Sequence, residues 1–157
     1  MKIRQASSSL ANMRLVRSRS LCHRDVMTWR VEHISRSITA APAAVCAVVG
    51  DLEQLPRWAA GLSSGVRLEE GRWVTESPMG LVEVRFTGNI AAGILDHEVV
   101  LPDGAVVHNP LRVLPNDGGS EVVFSLFERA GMTDDDFEGD AKAVRADLNR
   151  LAAIFDR

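Results

Sequence analysis

The sequence has few cysteines and no long apolar run, and both shortages narrow the class of protein. Cys22 and Cys46 form neither a CxxC pair nor a Cys/His metal-binding spacing, so neither a zinc site nor a disulfide scaffold is predicted. No stretch of about 18 apolar residues occurs, which predicts a chain that does not span a membrane. With so little cysteine, a reducing cytoplasm is the predicted location.

Acidic residues are absent from the first 24 positions, which contain six cations among several serines. This leader lacks the apolar stretch of about 7 to 15 residues that a secretory signal needs, so export is not predicted. Its Arg-rich and Ser-rich composition resembles an organellar transit peptide. It also fits a disordered tail or an upstream translated segment before a start at Met27, the interpretation we favour. We therefore predict a basic extension over 1–28 and one domain over 29–157.

The body of the chain is acidic and lacks several well-known functional motifs. Residues 25–157 contain 12 cations against 21 acids, a balance of −9, which argues against nucleic acid as a partner. No GxGxxG, P-loop, GxSxG or HExxH pattern occurs, so no cofactor and no metal is predicted. The acidic run at 134–136 is better explained as the start of a helix than as a metal site. Sixteen of the 18 basic residues are Arg, which indicates a GC-rich genome and a bacterial source.

Periodicity and turn residues predict one strand, two short helices, six further strands and a long helix. A proline-led segment begins the first short helix, which Gly50 ends, and Asp51 caps the second. Thr133 is the predicted cap of the long helix, whose apolar residues recur at steps of four and three. The sequence thus predicts an α+β fold with a curved seven-stranded antiparallel sheet. Its strands are expected over 29–38, 66–68, 72–76, 81–87, 94–101, 105–114 and 121–129.

This order of elements, with the segment AAPAAVCAVVGDLEQLPRW after the first strand, resembles the helix-grip fold of the SRPBCC superfamily. That superfamily includes START domains, Bet v 1-like proteins and polyketide cyclase/dehydrase-like proteins. The resemblance covers about residues 29–157, and many relatives have a Trp where this chain has Cys46. It implies a ligand cavity between the curved sheet and the long C-terminal helix. The positions that match are Pro42, Asp51, Pro56 and Trp58.

Turn chemistry predicts which side chains line that cavity. The sequence LPDG suits a type I turn with Gly104 in the left-handed position, which places His97 opposite Asn109. The same register puts Asp96, Glu98, His108 and Arg112 on the face toward water. The predicted ligand-binding residues are His97, Asn109, Trp58, Trp73, Val99, Val107, Leu111 and Phe124.

Two functions from different classes fit this predicted wall. The first is a non-catalytic protein that encloses a small hydrophobic or amphipathic molecule, since pockets are typically apolar with a few placed polar groups. The second is a cyclase/dehydratase-type enzyme in which His97 is the general acid/base on a carbonyl substrate and Asn109 orients the oxygen. A packed core histidine is the structural alternative for His97, as plain packing is for Trp58 and Trp73. A partner-binding role of the acidic surface stays open.

Overall fold

The computed structural model of the chain describes residues 28–60, 65–78 and 80–156. Except for Thr28, the predicted extension over 1–28 lies outside these ranges, and so do Cys22 and the proposed start at Met27. The extension and its boundary with the domain therefore stay predictions.

Within the described ranges the chain forms eight strands and two α-helices, one strand more than predicted because the strand expected over 105–114 is divided in two. A 3₁₀ helix, Leu52–Arg57, follows the first α-helix, and a 3₁₀ turn, Ile90–Ala92, precedes the fifth strand. No helix in these ranges is both long and apolar enough to cross a bilayer. The strands are β1 Val31–Ile38, β2 Val66–Glu69, β3 Arg72–Ser77, β4 Gly80–Phe86, β5 His97–Val100, β6 Val106–Asn109, β7 Leu111–Asn116 and β8 Gly119–Phe127, and the helices are α1 Pro42–Val49 and α2 Asp134–Ala153.

The strands form two antiparallel sheets, so the prediction of one seven-stranded sheet is wrong. One sheet has the order β1-β8-β7 and the other the order β2-β3-β4-β5-β6. The predicted strand over 105–114 is divided at Pro110, which has no N–H to donate to a ladder. Immediately after it, the Leu111 N–H donates to the Asp96 carboxylate at 3.0 Å, and the chain leaves β5 to pair with β8. An isolated bridge joins Ile94, three residues before β5, to Arg112 of β7 at this junction.

The chain turns a corner between α1 and the 3₁₀ helix, and Gly50 ends α1 there as predicted. Its φ of −76° is open to any residue, so the requirement for glycine is spatial. A Cβ at Gly50 would lie 2.8 Å from the Cys46 carbonyl oxygen and 2.8 Å from a methyl group of Ile90. The 3₁₀ turn is therefore pressed against α1, next to the buried Cys46. Asp51 caps the following helix by accepting from the Glu53 N–H at 3.0 Å, as predicted.

The C-terminal helix α2 packs mainly on β1 and also contacts β8. Thr133 caps it in a capping box, in which its hydroxyl accepts from the Asp136 N–H and the Asp136 carboxylate accepts from the Thr133 N–H. The predicted apolar stripe of α2 faces the core. Its fully or nearly fully buried members are Phe137, Ala141, Leu148 and Leu151.

Candidate functional site

A cavity of about 200 Å³ lies between the strands, α2 and the corner after α1. Apolar side chains make up most of its wall, and the polar side chains on it are few. The strands contribute Val84, Phe86, His97, Val99, Asn109, Leu111 and Phe124, the corner contributes Val49, Leu52, Leu55, Trp58 and Ala59, and α2 contributes Val144, Asp147 and Leu148.

The hairpin of β5 and β6 brings His97 and Asn109 to this wall. The turn closes as its sequence predicts: Gly104 has a φ of +85°, and the Leu101 N–H donates to the Ala105 carbonyl at 2.8 Å. The resulting register pairs His97 with Asn109 directly. Because side chains alternate across a strand, both residues point to the same face of the hairpin.

The opposite face of this hairpin holds charged pairs, as the register predicts. Glu98 accepts from Arg85 at 2.7 Å and lies 3.0 Å from Nδ1 of His108, whose side chain is 72% exposed. Asp96 pairs with Arg112. The cations of these pairs are more than a third exposed, whereas the side chains of Glu98 and Asp96 are only 15% and 29% exposed, so this face is partly in water.

His97 has one of its two ring nitrogens committed to the backbone. Nδ1 lies 3.1 Å from the Leu95 carbonyl oxygen, and because a carbonyl only accepts, Nδ1 must donate. Burial lowers the pKa of His97 below its ordinary value of 6.5, and the hydrogen bond to Leu95 opposes that shift. The ring is therefore neutral at neutral pH, with Nε2 as a free acceptor. Phe86 and Phe124 flank it, with centroids 6.0 and 6.4 Å away.

Trp58 brings a buried donor to the corner side of the cavity. Its side chain is 7% exposed, and its Nε1 is the buried side-chain N/O atom that has no hydrogen-bond partner among the described residues. An unpaired buried donor costs about 1–3 kcal/mol. The apolar area that the Trp58 ring buries in the core opposes this cost.

Asp147 of α2 is a cavity residue that the sequence analysis missed. Its carboxylate accepts from the Ala60 N–H at 3.0 Å and from Arg150 at 2.8 Å, both through Oδ1. Burial raises the pKa of Asp147 above its ordinary value, and those two donors oppose the shift. The signal was available, because Asp147 lies between Val144 and Leu148 on the apolar stripe of the helix.

Six of the eight predicted ligand-binding residues lie around this cavity: His97, Asn109, Trp58, Val99, Leu111 and Phe124. Val107 lies instead in an outer groove of about 750 Å³. Val99 and Asn109 line that groove as well as the cavity, so they stand between the two spaces. Trp73 lies in a separate depression beside Gly50 and Asp51 and packs against the core from there.

Comparison with solved structures shows the same architecture in several proteins. Ara h 8.0201, a Bet v 1 allergen, superposes with a TM-score of 0.63 at 15% identity, over 80% of this chain and 97% of that protein. The fold is Bet v 1-like. XoxI from Bacillus cereus gives a TM-score of 0.64 at 17% identity over 80% and 94% of the two chains. CV1439 from Chromobacterium violaceum gives 0.60 at 12% identity over 82% and 99%.

Neither a family model nor a curated protein matches the sequence. At these identities the Bet v 1-like likeness shows the fold alone. The function must therefore be argued from this chain's own cavity.

Proposed function

We propose that the protein is a non-catalytic binder of a small hydrophobic or amphipathic molecule, held in the cavity between the strands and α2. The observation that supports this best is the cavity itself: about 200 Å³ of space with an apolar wall and only His97, Asn109 and Asp147 as cavity-lining residues with hydrogen-bonding side chains besides Trp58. Sites for small molecules are typically built in this way. The Bet v 1-like fold, which is shared with ligand-binding proteins, agrees with the proposal.

A variant that fills the cavity tests the proposal. Val144 lines the cavity from α2, so Val144→Phe places extra carbon atoms in the space that a ligand would occupy. We expect the wild-type protein to bind toluene, followed by isothermal titration calorimetry, and Val144→Phe to bind it at least about tenfold more weakly, since overpacking such a site costs about 1–3 kcal/mol.

Asn149→Phe is the matched control, because it adds the same side chain at an exposed position of the same helix. It should bind toluene as the wild type does. Circular dichroism checks that both variants are folded. Equal binding by wild type and Val144→Phe would place the ligand elsewhere, and no binding by the wild type would contradict the proposal.

A second candidate function, a cyclase/dehydratase-type enzyme, is favoured by the free Nε2 of His97. In that function Nε2 takes a proton from the carbon beside a ketone carbonyl, the electron pair moves to the oxygen, and the Asn109 amide donates to that oxygen. The carboxylate on this wall, Asp147, is bound to Arg150 and to the Ala60 N–H rather than to His97. The imidazole thus has no acidic partner to strengthen it as a base, which is why we rank binding first.

Deuterium exchange separates the two functions. Acetophenone in D₂O exchanges its methyl protons when a base forms the enolate, and mass spectrometry counts the deuterium gained. For a simple binder we expect exchange at the rate of buffer alone. Faster exchange that His97→Asn abolishes and His108→Asn does not would favour the enzyme instead.

A further inference from the structure

His97 brings a hydrogen-bond acceptor, Nε2, to the cavity. The Leu95 carbonyl fixes the proton on Nδ1, so Nε2 of the neutral ring can only accept. Nε2 has no hydrogen-bond partner among the described residues. It is also not fully buried, because the fully buried side-chain atom without a partner in these residues is Nε1 of Trp58. Nε2 of His97 is therefore open to a molecule of about the size of water, on a residue that lines the cavity.

The charges around the cavity select against ions. None of the described residues on its wall is a lysine or an arginine, so an anionic ligand would meet no cation there. Asp147, the acid on the wall, already has Arg150 as a partner and does not require a cationic ligand. Burying an unpaired ion costs far more than burying a neutral group of the same size, so this wall favours an uncharged molecule.

Volume and shape limit the ligand further. An apolar protein cavity of about 150 Å³ is known to hold benzene, so about 200 Å³ suits one ring with a small substituent. Phe86 and Phe124 stand at 72° and 56° to the His97 ring and also line the cavity, so a ligand beside His97 meets two further aromatic rings. Rings pack well against such walls in edge-to-face and offset geometries.

From these observations we propose that the cavity takes an uncharged single-ring molecule with a hydroxyl group, and that this hydroxyl donates to Nε2 of His97. The inference rests on the proposed binding function and names the class of ligand. The hydroxyl contributes specificity, because a ring without it leaves Nε2 desolvated and unpaired. The ring contributes most of the affinity through its contacts with the apolar wall.

Five probes test the proposal by calorimetry at neutral pH. Phenol, anisole and toluene are neutral, benzoate is an anion and benzylammonium is a cation. Phenol donates a hydrogen bond, whereas anisole has the oxygen without the proton. We expect phenol to bind about tenfold more tightly than anisole, as one hydrogen bond in a buried site allows. Neither ion should bind measurably.

His97→Asn is the decisive variant, because its amide N–H can replace Nδ1 toward the Leu95 carbonyl, while its Oδ1 lies too close to the backbone to reach the position of Nε2. We expect it to bind phenol and anisole equally and to keep its affinity for toluene. His108→Asn, the same change on the exposed face of the same hairpin, should retain the tenfold preference.

The outcomes distinguish this inference from the proposed function. Toluene binding without a preference for phenol would overturn the hydroxyl contact and leave the binding function intact, while binding of no neutral probe would contradict both. Benzoate or benzylammonium binding as tightly as phenol would overturn the uncharged class. Should His97→Asn not fold, long-range ¹H–¹⁵N NMR of the wild type decides: phenol must move the Nε2 signal of His97 and leave Nδ1 in place, and an unmoved Nε2 overturns the proposal.

Discussion

His97 makes the stability of the folded chain depend on pH. Burial lowers its pKa in the folded state below the ordinary 6.5, so between those two pKa values the unfolded chain binds more protons than the folded one. The free energy of unfolding therefore rises with pH across that window. Acidification from above 6.5 weakens the fold until the folded pKa is passed.

Urea denaturation at pH 7.5 and pH 5.5 measures this effect. We expect the wild type to lose more of its free energy of unfolding on acidification than His97→Asn does. The raised pKa of Asp147 acts with the opposite sign, but it is common to both proteins and cancels in the comparison. An equal loss in the wild type and in His97→Asn would show that His97 is not the source.

The sequence predicted the position of a residue correctly only where neighbouring residues in the chain fix that position. His97 and Asn109 were placed correctly relative to each other because a four-residue turn fixes the register of their hairpin. Asp147 was missed because its position at the cavity depends on how α2 is rotated against strands far away in the chain. Trp73 lies away from the cavity, in the depression beside Gly50 and Asp51, and these residues are also distant from it in the sequence.

At the scale of elements, the corner between α1 and the 3₁₀ helix depends on the absence of a side chain at Gly50. Alanine favours helices over glycine by up to about 1 kcal/mol, and the backbone at Gly50 would accept it. The contacts at 2.8 Å with Cys46 and Ile90 oppose that gain, and one of them is to a backbone oxygen that cannot rotate away.

We therefore expect Gly50→Ala to lower the free energy of unfolding by about 1–3 kcal/mol, as overpacking does elsewhere. Gly139→Ala is the matched control, since Gly139 lies on the exposed side of α2 and a Cβ there meets nothing within 4 Å. The control should gain up to about 1 kcal/mol. Thermal denaturation of both variants measures the difference, and a stabilised Gly50→Ala would contradict the close packing of the 3₁₀ turn on α1.

The elements themselves differ in how far sequence could predict them. Caps are local, so Asp51 and Thr133 were predicted together with the helices that they begin. The strand over 105–114 was predicted as one element because its apolar alternation continues through Pro110. A proline is tolerated at a strand edge, so only the partner of each half reveals the break: β6 pairs with β5 and β7 with β8.

At the scale of the whole molecule, the cavity exists because three separate parts of the chain close around it. The corner after α1, the curved strands and α2 each contribute apolar side chains, and no single part encloses the space. The sequence predicted the α+β class and the order of helices and strands, while the cavity between the strands and the last helix was implied by the resemblance to the SRPBCC superfamily. It did not predict the volume, because that depends on fractions of an ångström summed over all three parts.

The pairing of the first strand with the last has a consequence for how the protein is made. His33 on β1 bonds to Ser125 on β8, 92 residues further along the chain, at 2.9 Å. After β1 has left the ribosome, almost the whole domain must therefore be synthesised before β1 can pair with β8. Helix α2, which packs on β1, emerges later still. Contacts of such long range also slow folding. The nascent chain thus keeps β1 unpaired until synthesis is nearly complete, which is the interval in which chaperone protection matters most.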